Sequence, residues 1–182
     1  MYPRALSRIE MEPTVEMIED DVKKEEKLFD LVMLLLEWTL NFRWRAAEAL
    51  GDMGDLRAVG PLIEALTDPY VDVSWIAAKS LGKLADPEAV PHLILMLKNE
   101  DKWNRLGAIE GLGGIRDEGA VEPLAEVLIN DPERKVRKRA AWALGRIGGE
   151  AARKVLEAHK DDDDEMVRKA VSDAMDGTKS AG

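Results

Sequence analysis

The sequence predicts an all-α fold, a solenoid of stacked helix pairs, and three observations predict it. The first is internal repetition. Phe42 to Gly51 (FRWRAAEALG), Val73 to Gly82 (VSWIAAKSLG), Asn104 to Gly113 (NRLGAIEGLG) and Val136 to Gly145 (VRKRAAWALG) are copies of one unit. Their shared leucines, Leu50, Leu81, Leu112 and Leu144, are spaced 31, 31 and 32 residues apart. A fixed period of this size marks stacked helical repeats, each touching only its neighbours. The second is helical spacing of apolar residues inside each copy. The third is punctuation. In Asp86-Pro87-Glu88 and Asp131-Pro132-Glu133, aspartate can cap, proline suits a first helical position, and glutamate favours the positive helix end.

Taken in order, residues 1–10 read as a tail, in which Ser7 and Glu10 could form a small capping box. Met11, Val15, Ile18 and Val22 make one helical stripe, 31 residues before Phe42, Ala46, Ala49 and Met53. Residues 11–22 are therefore expected to be a degenerate half-repeat, polar on its outer side because a solenoid end has no neighbour there. Lys24 to Trp38 is a helix with Leu28, Leu31, Val32, Leu35 and Leu36 on its apolar face. First helices follow at Ala58 to Leu66, Glu88 to Leu97, Ala120 to Leu128 and Ala151 to His159. Second helices are Phe42 to Met53, Val73 to Leu84, Trp103 to Ile115, Val136 to Ile147 and Val167 to Met175. The one extra residue behind the spacing of 32 falls between Leu128 and Val136, in a turn, where it does not rotate an apolar stripe off the core.

Ala46, Ala77, Ala108 and Ala140 are small enough to let neighbouring helices approach. Gly51, Gly82, Gly113 and Gly145 stand either where a side chain would strike the next helix or just before a helix ends. Residues 11–176 thus form one repeat domain of about five units plus the half-repeat, and 177–182 a frayed tail.

Composition narrows the chemistry. The formal charge of −10 disfavours generic nucleic-acid binding. The absence of cysteine removes disulfides and thiol chemistry. Charged residues make up 34% of the chain and glutamine is absent, a balance that leans towards a thermophile. The acidic N-terminus lacks the apolar core of a signal peptide, and Leu31 to Leu36 is too short to span a bilayer. A cytoplasmic location is expected.

The V-R-x-x-A-A-x-A-L-G core, the period, and a second run, Asp55 to Leu62, Asp86 to Leu93 and Asp117 to Leu124, resemble the HEAT-like repeat family. The likeness is to the short subtype named after the phycobilisome lyases, and it covers roughly residues 24 to 176. It implies a right-handed superhelix whose second helices line a concave face. Ser74 departs from the pattern where other units have arginine, and Asn104 where they have valine.

On each second helix the stripe opposite the core can be read from the spacing. It holds Trp44 and Arg45 in the first unit, and Trp75, Ile76 and Lys79 in the next. It continues with Trp103, Leu106 and Glu110, and then with Lys135, Lys138, Arg139, Trp142 and Arg146. Trp44, Trp75, Trp103 and Trp142 share one stripe, as binding anchors would. Alternatively the rings fill gaps between repeats or are covered in a homodimer. Residues 133–147 carry six cationic residues against one acidic, which suits an acidic peptide or phosphate groups. The alternative is a solvated face, with Arg137 paired to acids of adjacent turns like Arg43, Arg105 and Arg168.

The expected partner is therefore a protein or peptide with apolar anchors followed by acidic residues. No catalytic residue, metal or cofactor is called for. Asp161 to Asp164 with Glu165 read as a capping turn because the run lacks the glycine and ligand spacing of a metal loop. Gly111 to Gly114 has no preceding strand and no following Lys-Ser/Thr, so it is not a phosphate loop. His92 and His159 sit in no His-Glu pair, which separates the chain from the di-iron deoxyhypusine hydroxylases, also built on HEAT-like repeats. Two further readings remain. In bilin lyases, the resemblance implies, such a groove holds the chromophore, and the tryptophans would stack on a tetrapyrrole. In the other, helix 133–147 binds a nucleic-acid backbone.

Overall fold

A computed structural model describes residues 15–36 and 40–179, with side chains over 23–36 and 42–176. The expectations for residues 1–14, Trp38 and residues 180–182 lie outside the described residues. Among the described residues there are ten α-helices and no strand. They are α1 (Val15–Leu36), α2 (Leu40–Met53), α3 (Val59–Ala65), α4 (Val71–Leu84) and α5 (Val90–Met96). Then come α6 (Lys102–Ile115), α7 (Val121–Asn130), α8 (Arg134–Ile147), α9 (Gly149–Ala158) and α10 (Glu165–Lys179). They fall into five pairs. Three of the first helices are entered through a 3-10 turn: Leu56–Ala58, Pro87–Ala89 and Glu118–Ala120.

Aspartates start these turns for a reason that recurs. Asp55, Asp86 and Asp117 each accept from the backbone N–H two residues on, at 3.0, 2.9 and 2.7 Å. That satisfies one of the donors a helix start leaves open. Asp164 does the same for α10, accepting from Met166 N–H at 2.9 Å, so the acidic run is a capping turn.

Two boundaries differ from expectation. Among the described residues no break separates the expected half-repeat from the helix at Lys24: α1 is a single helix from Val15 to Leu36. No glycine or proline stands in that stretch to end it. At the other end α10 runs on to Lys179, into what was expected to be tail.

The second helices α2, α4, α6, α8 and α10 pack directly on one another in that order, whereas each first helix packs chiefly on its own unit. Leu50, Leu81, Leu112 and Leu144 are fully buried in the layer between. The glycine after each leucine is a point of close approach, not a helix end. A β-carbon on Gly82 would lie 2.9 Å from Gly111 Cα, and one on Gly145 2.8 Å from Ala174 Cβ. Second helices drawn together this tightly make theirs the shorter side of the stack. The stack therefore bends towards them, and their outer stripe lines the concave face.

The turns are tied by a repeated ion pair. Arg43 meets Asp68 (Nε–Oδ2 3.3 Å), Arg105 meets Asp131 (2.7 Å) and Arg137 meets Asp164 (3.5 Å). The layer that lacks this arginine has Ser74, whose hydroxyl donates to Asn104 Oδ1 at 2.7 Å. The two departures from the repeat are thus partners, buried together between α4 and α6.

Candidate binding groove on the concave face

The concave face holds a cavity of about 680 Å³ where α6, α8 and α10 adjoin. Its base is set by the α8 stripe. Val136, Ala140, Ala143 and Leu144 are buried, so the opposite side of the same helix presents Lys135, Lys138, Arg139, Trp142 and Arg146 to the cavity. From α6 come Leu106 and, just past the helix end, Arg116. The wall on α10 is Ala170, Asp173 and Ala174, and Gly145 completes the lining. Small residues on α10 face large ones on α8, and that difference in bulk is the groove.

Trp142 is half-buried. One edge tucks under the neighbouring layer, where a β-carbon on Gly113 would fall 2.8 Å from its Cζ3. The Arg139 guanidinium lies 4.4 Å from its ring centre and that of Arg146 5.8 Å. An indole under two guanidinium groups makes a rigid, flat, partly apolar platform in a cationic setting.

Charge on the concave face is uneven. Lys83 is paired with Asp52 at 2.6 Å, and Lys79 with Glu110 at 3.7 Å. Glu110 also accepts from Arg139 Nε at 3.1 Å. In the groove itself Lys135, Lys138, Arg146 and Arg116 have no ion pair among the described residues, and Asp173 is the one acid in the lining. Not every cation of residues 133–147 contributes. Arg137 donates to the Asp131 carbonyl at 2.9 Å and pairs with Asp164, so it belongs to the turn. Arg134 leans the same way, 3.9 Å from Asp164.

Six of the nine residues singled out from the sequence meet in this groove: Leu106, Lys135, Lys138, Arg139, Trp142 and Arg146. The other three do not line it: Trp44 and Trp75 lie on earlier layers, and Trp103 is at the start of α6. Trp44 packs on the core with Arg45 5.2 Å from its ring. Trp75 is half-buried against Gly107, whose β-carbon would lie 2.7 Å from Cδ1, and Lys79 Nζ sits 4.6 Å from the ring. Trp103, 48% exposed, meets Trp75 edge to face with ring centres 6.4 Å apart. Sequence reasoning missed Arg116, which lies past a helix end rather than on a stripe. It also missed the role of Gly145, Ala170 and Ala174, whose contribution is their lack of bulk.

His159, just past the end of α9, has Nδ1 2.8 Å from the Val155 carbonyl of that helix, and His92 is exposed on α5. Among the described residues no group of three or more His, Asp or Glu could hold a metal ion. No helix among them is long and apolar enough to cross a membrane.

The family model for HEAT repeats matches residues 35–106 and 90–176. The chain belongs to the HEAT-repeat family. Its fold is that of the phycobilisome-lyase type. It matches the complex of CpcE and CpcF of phycocyanin lyase from Nostoc sp. PCC7120 with a TM-score of 0.68 and 24% identity, over 99% of this chain and 70% of that one. A designed armadillo repeat protein in complex with the peptide (KR)4 matches with a TM-score of 0.63 and 20% identity, over 90% of this chain and 86% of that one. A curated relative, epoxyqueuosine reductase from Bacillus cereus, is 40% identical over 60 residues, 31% of this HEAT-repeat chain. The match covers only 16% of that relative's length.

Proposed function

We propose that this HEAT-repeat chain is an interaction module that performs no chemistry, and that the groove between α6, α8 and α10 takes an acidic segment of a protein partner. One observation carries the reading: cations with no ion pair among the described residues gather around a half-buried tryptophan on a protein whose formal charge is −10. Lys135, Lys138 and Arg146 would draw the carboxylates, and Trp142 would take an apolar side chain. Trp44, Trp75 and Trp103 would offer the N-terminal half of the concave face to further apolar residues of a longer partner. The designed armadillo protein supports the general mode, since it carries a peptide, although its (KR)4 ligand has the opposite charge.

The test is calorimetric titration with a synthetic Ser/Gly peptide that carries several glutamates and leucines. Lys138→Glu and Trp142→Ala should each weaken binding about tenfold or more, the scale of a hot-spot residue. Unchanged affinity in both variants overturns the reading. A parallel titration with a DNA duplex separates it from backbone binding, which predicts a steep loss of affinity with added salt.

A further inference from the structure

We infer that the groove reads an extended five-residue pattern, an acid at each end and an apolar residue in the middle, and that Arg116 is one of the residues that reads it. The inference rests on the binding reading above and specifies its partner.

The cations of the groove stand in two groups. Lys135 and Lys138 are in the first half of α8, and Arg146 is in its last turn. At about 1.5 Å of rise per residue, Arg146 is about 12 Å along the helix from Lys138 and about 16 Å from Lys135. Between the groups lies Trp142, whereas on α10 Ala174 packs against Gly145, beside Arg146. An extended chain advances about 3.4 Å per residue with side chains alternating, so residues i, i+2 and i+4 face one way. The outer two are then about 14 Å apart, which matches the separation of the cation groups. An acid at i meets Lys135 and Lys138, and an acid at i+4 meets Arg146. The side chain at i+2 falls on Trp142, whose half-buried indole suits an apolar group. A helical ligand would need its acids eight to eleven residues apart to span the same distance.

Arg116 enters through its backbone. It follows the end of α6 with φ 63° and ψ 33°, in the left-handed region. The equivalent residue after α4, Ala85, has φ 55° and ψ 31°, and those after α2 and α8 are glycines with positive φ, Gly54 and Gly148, the latter with ψ −155° in a region open to glycine alone. Glycine takes this conformation at no steric cost, and a long β-substituted residue does not. An exposed arginine here, lining the groove level with Arg146 and without an ion pair among the described residues, is strain kept beside a binding surface. Arg116 is therefore the second cation for the acid at i+4.

The experiment uses the full chain and fluorescein-labelled peptides on a Ser/Gly background. Each has a central leucine and two glutamates separated by two, four or six positions. The four-position peptide should bind about tenfold more tightly than the others. Arg116→Gly should raise the melting temperature by about 2–4 °C and weaken the four-position peptide about tenfold. The same variant should leave a peptide lacking the second glutamate unaffected, and Arg116→Lys should keep most of the affinity. Equal affinity at all three separations overturns the inference, and so does Arg116→Gly gaining stability without losing affinity. In both cases acidic-peptide binding itself stands. No binding by any acidic peptide removes the underlying reading as well. Self-association that Lys138→Glu abolishes would make a second copy the occupant and overturn the inference.

Discussion

Ala85 occupies the same left-handed backbone as Arg116, at φ 55°, but does not line the groove. It closes α4 with its N–H bonded to the Leu81 carbonyl at 3.0 Å, which glycine would do equally well. Relief of the β-carbon clash offsets the extra entropy glycine loses on folding. Ala85→Gly is therefore expected to stabilise the chain by about 0.5–1 kcal/mol. Urea denaturation should show a higher midpoint at unchanged slope, the mark of a pure stability change. A lower midpoint would mean that the left-handed residue carries no strain. The same measurement on Arg116→Gly sets the scale for the trade between stability and binding at the groove.

At the scale of elements, the Arg–Asp pairs hold α2, α6 and α8 to the turn that leads into the next second helix. Arg105 is the most enclosed: its side chain is 10% exposed and that of Asp131 4%. It also donates to the carbonyls of Asn99 and Glu100, both at 2.9 Å. Arg105→Ala strands a buried carboxylate and two carbonyls and should cost about 3–5 kcal/mol; a loss under about 1 kcal/mol in thermal unfolding would show the pair to be dispensable. Part of this layer was legible in the sequence. Arginine recurring three residues before the repeat's alanine pointed to a pairing with acids of adjacent turns; Arg43, Arg105 and Arg137 make it, and Arg168 instead donates to the carbonyls of Asp162 and Asp163. The groove stripe of α8 was legible too, because helical spacing fixes which side chains oppose a buried face. What could not be read depends on neighbours in space. Ser74 and Asn104 looked like two separate lapses until their hydrogen bond joined them. Arg116 gave no periodic signal because it stands outside a helix. The half-repeat over 11–22 was inferred from a stripe and its period, and with no glycine or proline between Val15 and Leu36, α1 runs without a break from Val15 into the expected helix over Lys24 to Trp38.

The molecule as a whole is a line of layers, and a line does not share stability as a compact core does. Each layer is held by its immediate neighbours, so a local weakness opens locally. The groove sits where this matters: one of its walls, with Ala170, Asp173 and Ala174, is on α10, in the last described layer. That layer is anchored by Leu156 and Ala152 of α9 and by Val167 and Val171 of α10, all fully buried. Leu156→Ala removes a buried side chain that does not line the groove and should cost about 2–5 kcal/mol. In a linear stack most of that cost falls on α9 and α10. Hydrogen exchange should show their amides losing protection, with α4 and α6 nearly unchanged. Affinity for the acidic peptide should fall with no lining residue altered, because the competent groove is populated only part of the time. Saturating peptide should restore protection to α10, since a ligand that binds only the closed layer stabilises it. A uniform loss of protection from α2 to α10 would instead show the five pairs to be one cooperative unit, and the groove's integrity would then depend on the whole stack rather than on its last layer.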